Sequence, residues 1–163
     1  MLLDAKHVAV GVDGSPTGLI AVREAAALVK QSGARLSLVT VVNIPTSALE
    51  LVGAGREMID EVVTDLSKAD QQEAEAACHE AGVEFKSYAI HQHRGTPGRS
   101  MAQFARENGV DLMLVGAHGR GLPIGLYLGS VARWVAEHAP CSVVVIRAPE
   151  DSELARQRDK KEK

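Results

Sequence analysis

Short, continuous apolar runs alternate with longer amphipathic stretches along most of this chain, and this alternation restricts the possible folds more than any other feature. The runs are rich in Val, Leu and Ile, which is typical of strands buried on both faces. Such strands, separated by helices, form a parallel sheet covered on both sides. Right-handed crossovers then predict an α/β fold, an open, doubly wound, Rossmann-like sheet of five strands. The predicted strands are residues 7–12, 35–43, 83–91, 111–115 and Ser142–Ile146.

Residues that start and end helices mark the segments between these strands. Ser15 can cap a helix whose first residue is Pro16, and Gly33 is a typical residue at a helix C-terminus. A second amphipathic stretch starts near Met58 and ends near Gly82. We predict further helices over residues 97–108, with Gly109 after the last turn, and over residues 130–137. Residues 44–55 hold one proline and two glycines, which favours a loop.

Length and composition indicate one domain and exclude several classes of partner. The 163 residues suffice for one hydrophobic core, which we assign to residues 1–149. Residues 150–163 carry five acidic and five basic side chains, and we expect a solvated tail there. The net charge of −3 and the scarcity of aromatic side chains argue against a nucleic-acid partner. The apolar runs are too short for a membrane-spanning helix, and no secretion signal is visible, so we expect a cytoplasmic protein.

A glycine-rich stretch after the fourth predicted strand is the strongest candidate for a binding site. In an open α/β sheet, ligands bind beyond the carboxyl ends of the strands, and this stretch leaves such an end. Gly116 and Gly119 allow the backbone to approach a ligand closely. Gly129 and Ser130 stand where the next helix begins, and the free N–H groups of a helix N-terminus favour an anion such as phosphate. The guanidinium of Arg120 is suited to hold phosphate oxygens.

The spacing of these residues resembles the ATP-binding signature of the universal stress protein family. The pattern G-x2-G-x9-G-[ST] is matched by Gly116, Gly119, Gly129 and Ser130. The resemblance covers about residues 6–147. HVAVGVDGS near the start, RGTPGRSMAQFARENGVDLMLVGAHGRG and LGSVARWVAEHAPCSVVVIR resemble three further parts of the family, in the same order. Pro123 and Gly125 depart from the common form of the loop. Because the glycines of the pattern are intact, we expect this departure to affect the closed conformation of the loop more than binding itself.

The resemblance implies the strand order 3-2-1-4-5 and a site for ATP, with ADP or AMP as alternatives. It places Asp13 beside the adenine and ribose, the backbone of Val41 along the base, and the glycine loop and the N–H of Val131 around the ribose and phosphates. A magnesium or manganese ion would accompany the nucleotide, held by the phosphates rather than by protein side chains. The candidate nucleotide-binding residues are Gly11, Val12, Asp13, Ser15, Val41, Gly116, His118, Gly119, Arg120, Gly129, Ser130 and Val131.

The last predicted strand, Ser142–Ile146, has few polar side chains to protect it at a sheet edge. Pairing with the same strand of a second subunit would cover it, and the resemblance also implies a homodimer through this strand. The alternative is coverage by the C-terminal tail.

Three functional classes remain, and two enzyme classes are excluded. The leading hypothesis is a regulatory stress-response protein that acts through nucleotide-dependent conformation or assembly. The others are an interaction module that does not use nucleotide, and a slow ATPase or nucleotide transferase. An aspartyl-phosphate enzyme would need a carboxylate two residues before Asp13, where Gly11 stands. The Walker pattern G-x4-G-K-[ST] is absent, which excludes a P-loop hydrolase. We assign no catalytic residue.

Overall fold

Strands and helices alternate along the part of the chain that the computed structural model describes, which is residues 4–45, 47, 53, 55–92, 95–119 and 128–148. The strands are β1 His7–Gly11, β2 Arg35–Val42, β3 Lys86–His91, β4 Leu112–Gly116 and β5 Ser142–Ile146. The helices are α1 Pro16–Ser32, α2 Arg56–Ala81, α3 Pro97–Asn108 and α4 Ser130–His138.

The five strands form one parallel sheet in the order β3-β2-β1-β4-β5, which confirms the predicted architecture. In register, Gly11 lies opposite Val39 of β2, and Val10 lies opposite Leu114 of β4. The chain winds outward from β1 in one direction and then from β4 in the other. The strand order therefore reverses between β1 and β4, and crevices for ligands form at such a point.

Two apolar layers cover the sheet, one on each face. Helices α1 and α2 pack against one face over a core that includes Val8, Val10 and Leu38. Helices α3 and α4 pack against the other face over a core that includes Met113 and Val135. Alternate residues of each strand point to opposite faces. This explains why continuous apolar runs, rather than alternating ones, form these strands.

The helix ends follow the residues that predicted them. Ser15 accepts a hydrogen bond from the Gly18 N–H at the start of α1, and Thr96 accepts one from the Arg99 N–H at the start of α3. Helices α1, α2 and α3 end at glycines with left-handed φ angles of 69°, 68° and 62°, at Gly33, Gly82 and Gly109. Side chains with a Cβ atom rarely adopt this conformation, which is why these glycines marked the helix ends in the sequence.

Strand β3 starts at Lys86, three residues later than predicted. The Val83 N–H still donates to the Cys78 carbonyl at 3.2 Å, and the Gly82 N–H donates to the His79 carbonyl at 3.0 Å. These two bonds close the last turn of α2, so Val83 belongs to the end of that helix. Phe85 then packs edge-on against the His79 ring, with ring centroids 5.0 Å apart. The other predicted bounds of strands and helices differ from the observed ones by at most about two residues, which is the usual variation in where helices and strands end.

Two predicted segments fall largely beyond the described residues. Most of the 44–55 loop and the whole of the 150–163 tail lie outside them. Within the described ranges, no helix has the length and apolar character needed to cross a membrane.

Candidate functional site

A cleft of about 250 Å³ opens at the carboxyl ends of β1 and β4, where the strand order reverses. Its size is a little below the roughly 300–1,000 Å³ of most ligand pockets. The structure brings most of the predicted site residues to its wall. These are Gly11, Val12, Asp13, Val41, Gly116, Gly119, Gly129, Ser130 and Val131.

The turn after β1 fixes the direction of the Asp13 carboxylate. Its Oδ1 accepts hydrogen bonds from the Ser15 N–H at 3.0 Å and from the Ser15 hydroxyl at 2.5 Å. Its Oδ2 lies on the side of Gly119, where a Cβ atom would come within 3.1 Å of it. One carboxylate oxygen is thus held by the turn, while the other is directed toward the cleft.

Ser15 and His118, two predicted ligand contacts, lie outside the cleft wall. Ser15 is 3% exposed, and its hydroxyl caps α1 and donates to Asp13, so it reaches the cleft only through that carboxylate. His118 is 7% exposed, and its backbone carbonyl accepts from the Thr17 hydroxyl. Periodicity and motif spacing do not reveal the direction in which the Ser15 or the His118 side chain points. The predicted contact Arg120 lies outside the described residues, as do Pro123 and Gly125.

Gly116 has no side chain because the N-terminus of α1 occupies the space beside it. A Cβ atom on Gly116 would lie 2.8 Å from the Gly18 nitrogen and 2.9 Å from the Thr17 carbonyl carbon. Both are backbone atoms of a helix and cannot swing aside. This glycine therefore lets α1 approach the end of β4 closely. The turn that carries Asp13 directly precedes α1, so it also comes close to β4.

The start of α4 forms the opposite wall and presents backbone donors. The Gly129 N–H is already used, because it donates to the Ala117 carbonyl at 2.7 Å. The Gly129 carbonyl accepts from the Arg133 N–H at 2.9 Å, which is the first bond of the helix. The N–H groups of Ser130, Val131 and Ala132 precede that bond and have no acceptor in the helix. No side chain caps this end among the described residues. These donors and the helix dipole favour an anion.

The remaining wall is apolar and comes partly from residues that the sequence did not identify. These are Val39, Pro97, Met101, Val115 and Ala132. Val39 could have been found from Val41, because residues two apart share one face of a strand. Pro97 and Met101 lie four residues apart on one side of α3. Their position over the cleft follows from the sheet order, which periodicity does not reveal.

Val41 brings backbone polar groups to this apolar wall. In a parallel strand, the N–H and C=O of one residue point to the same neighbouring strand, and those of the next residue point to the other side. The Val39 carbonyl accepts from the Val12 N–H at 2.9 Å, so Val39 and Val41 both face the β1 side. Strand β1 ends at Gly11, and within the described residues the ladder goes no further than this bond. The N–H and C=O of Val41 therefore face the cleft.

The arrangement suits a ligand with an apolar part and an anionic part. Val39, Val41 and Met101 offer apolar contact, Asp13 offers a carboxylate acceptor, and α4 offers N–H donors. Across the described residues, no three His, Cys, Asp or Glu side chains come together as a metal site.

Known proteins share this fold and sequence pattern. A universal stress protein of Methanocaldococcus jannaschii is 28% identical over 148 residues, which are 88% of this chain and 83% of that protein. Among solved structures, universal stress protein UspA from Lactobacillus plantarum has a TM-score of 0.68 and 27% identity, covering 87% of this chain and 97% of its own. A universal stress protein solved in complex with cAMP has a TM-score of 0.63 and 25% identity, covering 88% and 97%.

The model of the universal stress protein family matches residues 5–147. This range includes all five strands, all four helices whose bounds are described, and every part of the cleft wall. On this match, the chain belongs to the universal stress protein family.

Proposed function

We propose that this chain binds ATP in the cleft between β1 and β4 and acts as a regulatory stress-response protein. One observation carries the proposal: Asp13, the backbone of Val41 and the N-terminus of α4 meet around one cleft. A related universal stress protein was solved in complex with cAMP, an adenine nucleotide, which supports the same ligand class here.

The Val41 backbone supports adenine as the base. Adenine presents an amino donor and a ring-nitrogen acceptor side by side, which match one backbone C=O and one N–H. Guanine presents a carbonyl and a protonated ring nitrogen in those places, so both pairs would be mismatched. Buried polar groups without a partner are costly, and GTP should therefore bind at least about tenfold more weakly than ATP. The side chains of Val39 and Met101 would contact the base.

The carboxylate of Asp13 and the start of α4 support the ribose and phosphates. The Asp13 Oδ2 can accept from ribose hydroxyl groups, since its Oδ1 is already held by Ser15. The phosphates would lie against the N–H groups of Ser130 and Val131, with the Ser130 hydroxyl as a further donor. Arg120 would add its guanidinium to the phosphates. The phosphates would also hold the accompanying magnesium or manganese ion.

In this proposal, nucleotide occupancy changes the conformation or assembly of a cytoplasmic homodimer that pairs through β5. A nucleotide-independent interaction module and a slow ATPase are the alternatives. The cleft favours binding over the first of these, because an interaction module needs neither a directed carboxylate nor uncapped helix donors in a cavity.

Calorimetry on the full chain tests the proposal. ATP with magnesium should bind the wild-type protein, and purified protein should release adenine nucleotide when denatured. The Gly119→Val variant should lose binding, because a branched side chain beside the Asp13 Oδ2 would fill the cleft. Gly55→Val is the matched control, since a Cβ atom there meets no atom of the described residues within 4 Å. Absence of ATP binding by the wild type, or equal binding by Gly119→Val, would count against the proposed site.

A further inference from the structure

We propose that Thr17 is a positioning residue for the nucleotide, because its hydroxyl holds the His118 carbonyl and so directs the Gly119 N–H into the cleft. This inference rests on the proposed nucleotide function. Thr17 does not line the cleft, and no motif in the sequence pointed to it.

The contact between Thr17 and the glycine loop is short and buried. The Thr17 Oγ1 donates to the His118 carbonyl oxygen at 2.6 Å, and the Thr17 side chain is 3% exposed. The Ser15 hydroxyl approaches the same oxygen at 3.3 Å, a longer contact from a group that also donates to Asp13 at 2.5 Å. Of these two hydroxyls, that of Thr17 therefore makes the closer contact with the carbonyl.

Because the peptide bond is planar, the contact that orients the His118 carbonyl also orients the Gly119 N–H. In a trans peptide, the C=O of one residue and the N–H of the next point in opposite directions. The His118 carbonyl points to α1, which packs on one face of the sheet. The Gly119 N–H must then point away from α1, toward the face of α3 and α4. The cleft opens to that face, since Pro97, Met101 and Ala132 belong to its wall.

The residue that precedes this peptide is already held by backbone hydrogen bonds. The Ala117 N–H donates to the Ile146 carbonyl at 2.7 Å, and the Ala117 carbonyl accepts from the Gly129 N–H at 2.7 Å. Residue 117 is thus fixed on both sides. Gly119 has no Cβ atom to restrict its backbone, so the peptide between residues 118 and 119 could rotate at little steric cost. The Thr17 hydroxyl removes that freedom.

The directed N–H would join the donors at the start of α4. A Cβ atom on Gly129 would lie 3.6 Å from the Gly119 nitrogen, so that nitrogen stands next to the α4 N-terminus. Oxygen atoms of a ribose or phosphate in the cleft would then meet donors from both walls. Fixing a donor before the ligand arrives reduces the entropy lost on binding.

The experiment compares ATP affinity and the Gly119 amide signal in four proteins. Thr17→Val keeps the shape of the side chain and removes the donor, and Thr17→Ser restores the hydroxyl. Ser67→Ala is the matched control: Ser67 is fully buried and donates to the Thr64 carbonyl at 2.8 Å, away from the cleft wall. Calorimetry measures the dissociation constant, and NMR of the labelled chain follows the Gly119 amide with and without ATP.

We expect Thr17→Val to bind ATP about tenfold more weakly, the size of one lost hydrogen bond, and to shift the Gly119 amide signal in the free protein. Thr17→Ser and Ser67→Ala should stay within about threefold of the wild type, less than one such bond. Should Thr17→Val fail to fold, Thr17→Ala removes the donor without placing a methyl group against the His118 carbonyl. Equal affinity and an unchanged Gly119 amide in the donor-less variant would overturn the role of Thr17 alone. A wild-type protein that binds no ATP would instead overturn the proposed function, and the ligand role of Thr17 with it.

Discussion

Gly98 of α3 packs directly against Trp134 of α4, so closely that a Cβ atom on Gly98 would lie 2.9 Å from the Trp134 Cβ. The absence of a side chain at Gly98 sets the separation of the two helices that cover one face of the sheet. Those helices also supply Pro97, Met101 and Ala132 to the cleft. The same contact thus influences both the core and the site.

Replacing Gly98 with alanine should destabilise the protein by about 1–3 kcal/mol through overpacking. The Trp134 Cβ is fixed to the α4 backbone and cannot rotate away. The effect should exceed the roughly 0.5–1 kcal/mol that alanine normally gains over glycine inside a helix. Urea denaturation measures the loss, and Gly55→Ala serves as the control because its added Cβ meets nothing within 4 Å in the described part of the chain. A Gly98→Ala variant more stable than the wild type would show that the helices move apart freely.

The sequence predicted the type of almost every helix and strand, because local signals specify them. Ser15, Gly33 and Gly109 act through hydrogen bonds and φ angles within a few residues of themselves. The strand order could not be predicted from these local signals, since apolar runs indicate where a strand lies in the sequence but not which strand it pairs with. That order came from the family resemblance, and the sheet confirms it. The late start of β3 was missed because Val83 is apolar yet serves the end of α2.

The site could be predicted as far as its chain segments, but not in its side-chain directions. Glycine spacing identified the loop. Whether Ser15 faces the cleft or Asp13 depends on one rotamer, and the position of Met101 depends on how α3 is rotated on the sheet. The role of Thr17 depends on a contact between residues 101 positions apart. Such contacts exist only once the sheet order is fixed.

The two glycines at the start of the loop should respond differently to substitution. Gly116→Ala should lower the free energy of unfolding by about 1–3 kcal/mol, since its Cβ would collide with the backbone of α1. Gly119→Ala should change stability much less, because among the described residues its Cβ would meet only the side-chain Oδ2 of Asp13, at 3.1 Å. Thermal unfolding of both variants without nucleotide checks the difference. Equal losses would contradict the packing described for Gly116.

A proline in β5 should separate the proposed dimer without breaking the sheet. The Ser142 N–H and the Ile146 carbonyl bond toward β4, so by alternation the Val145 N–H faces away from it. Proline is tolerated at such edge positions, and it removes the donor that a second subunit would need. Val145→Pro should sediment as a monomer and Val145→Ala, which keeps the N–H, as a dimer. A Val145→Pro protein that remains dimeric would place the interface elsewhere.

Asp111 should contribute to stability at neutral pH and lose that contribution in acid. The backbone N–H groups of Lys6 and His7, which donate to its Oδ2 at 2.8 and 2.9 Å, hold the pKa of Asp111 below its ordinary value of 3.8. A carboxyl group whose pKa is lower in the folded than in the unfolded state stabilises the folded state at pH values above the unfolded pKa. This stabilisation is lost as the pH falls through the folded pKa. The stability difference between wild type and Asp111→Ala should therefore narrow below pH 3.8. Substitution of the exposed Glu84 by alanine is the control. A stability difference between wild type and Asp111→Ala that does not change with pH would contradict the role of these hydrogen bonds.

The Cys78 thiol should be inert in the folded protein and should weaken the fold in alkali. Burial, with a smaller effect of Glu75, raises the pKa of Cys78 to about 11 from an ordinary 9.0. The folded state keeps the proton where the unfolded state loses it, so stability should fall as the pH rises from 9.0 toward 11. Iodoacetamide labelling followed by mass spectrometry should modify Cys78 only after denaturation, and Cys78→Ala should show a smaller alkaline loss. Rapid labelling of Cys78 in the native protein would show that its thiol is not buried.

Asp13 and Gly119 border one cavity although more than a hundred residues separate them along the chain. A molecule bound in that cavity would contact both the first third and the last third of the polypeptide. Its binding energy is then available only to molecules in which β1 and β4 have already paired. Occupancy should therefore slow amide hydrogen exchange through the middle of the sheet and not merely at the loop.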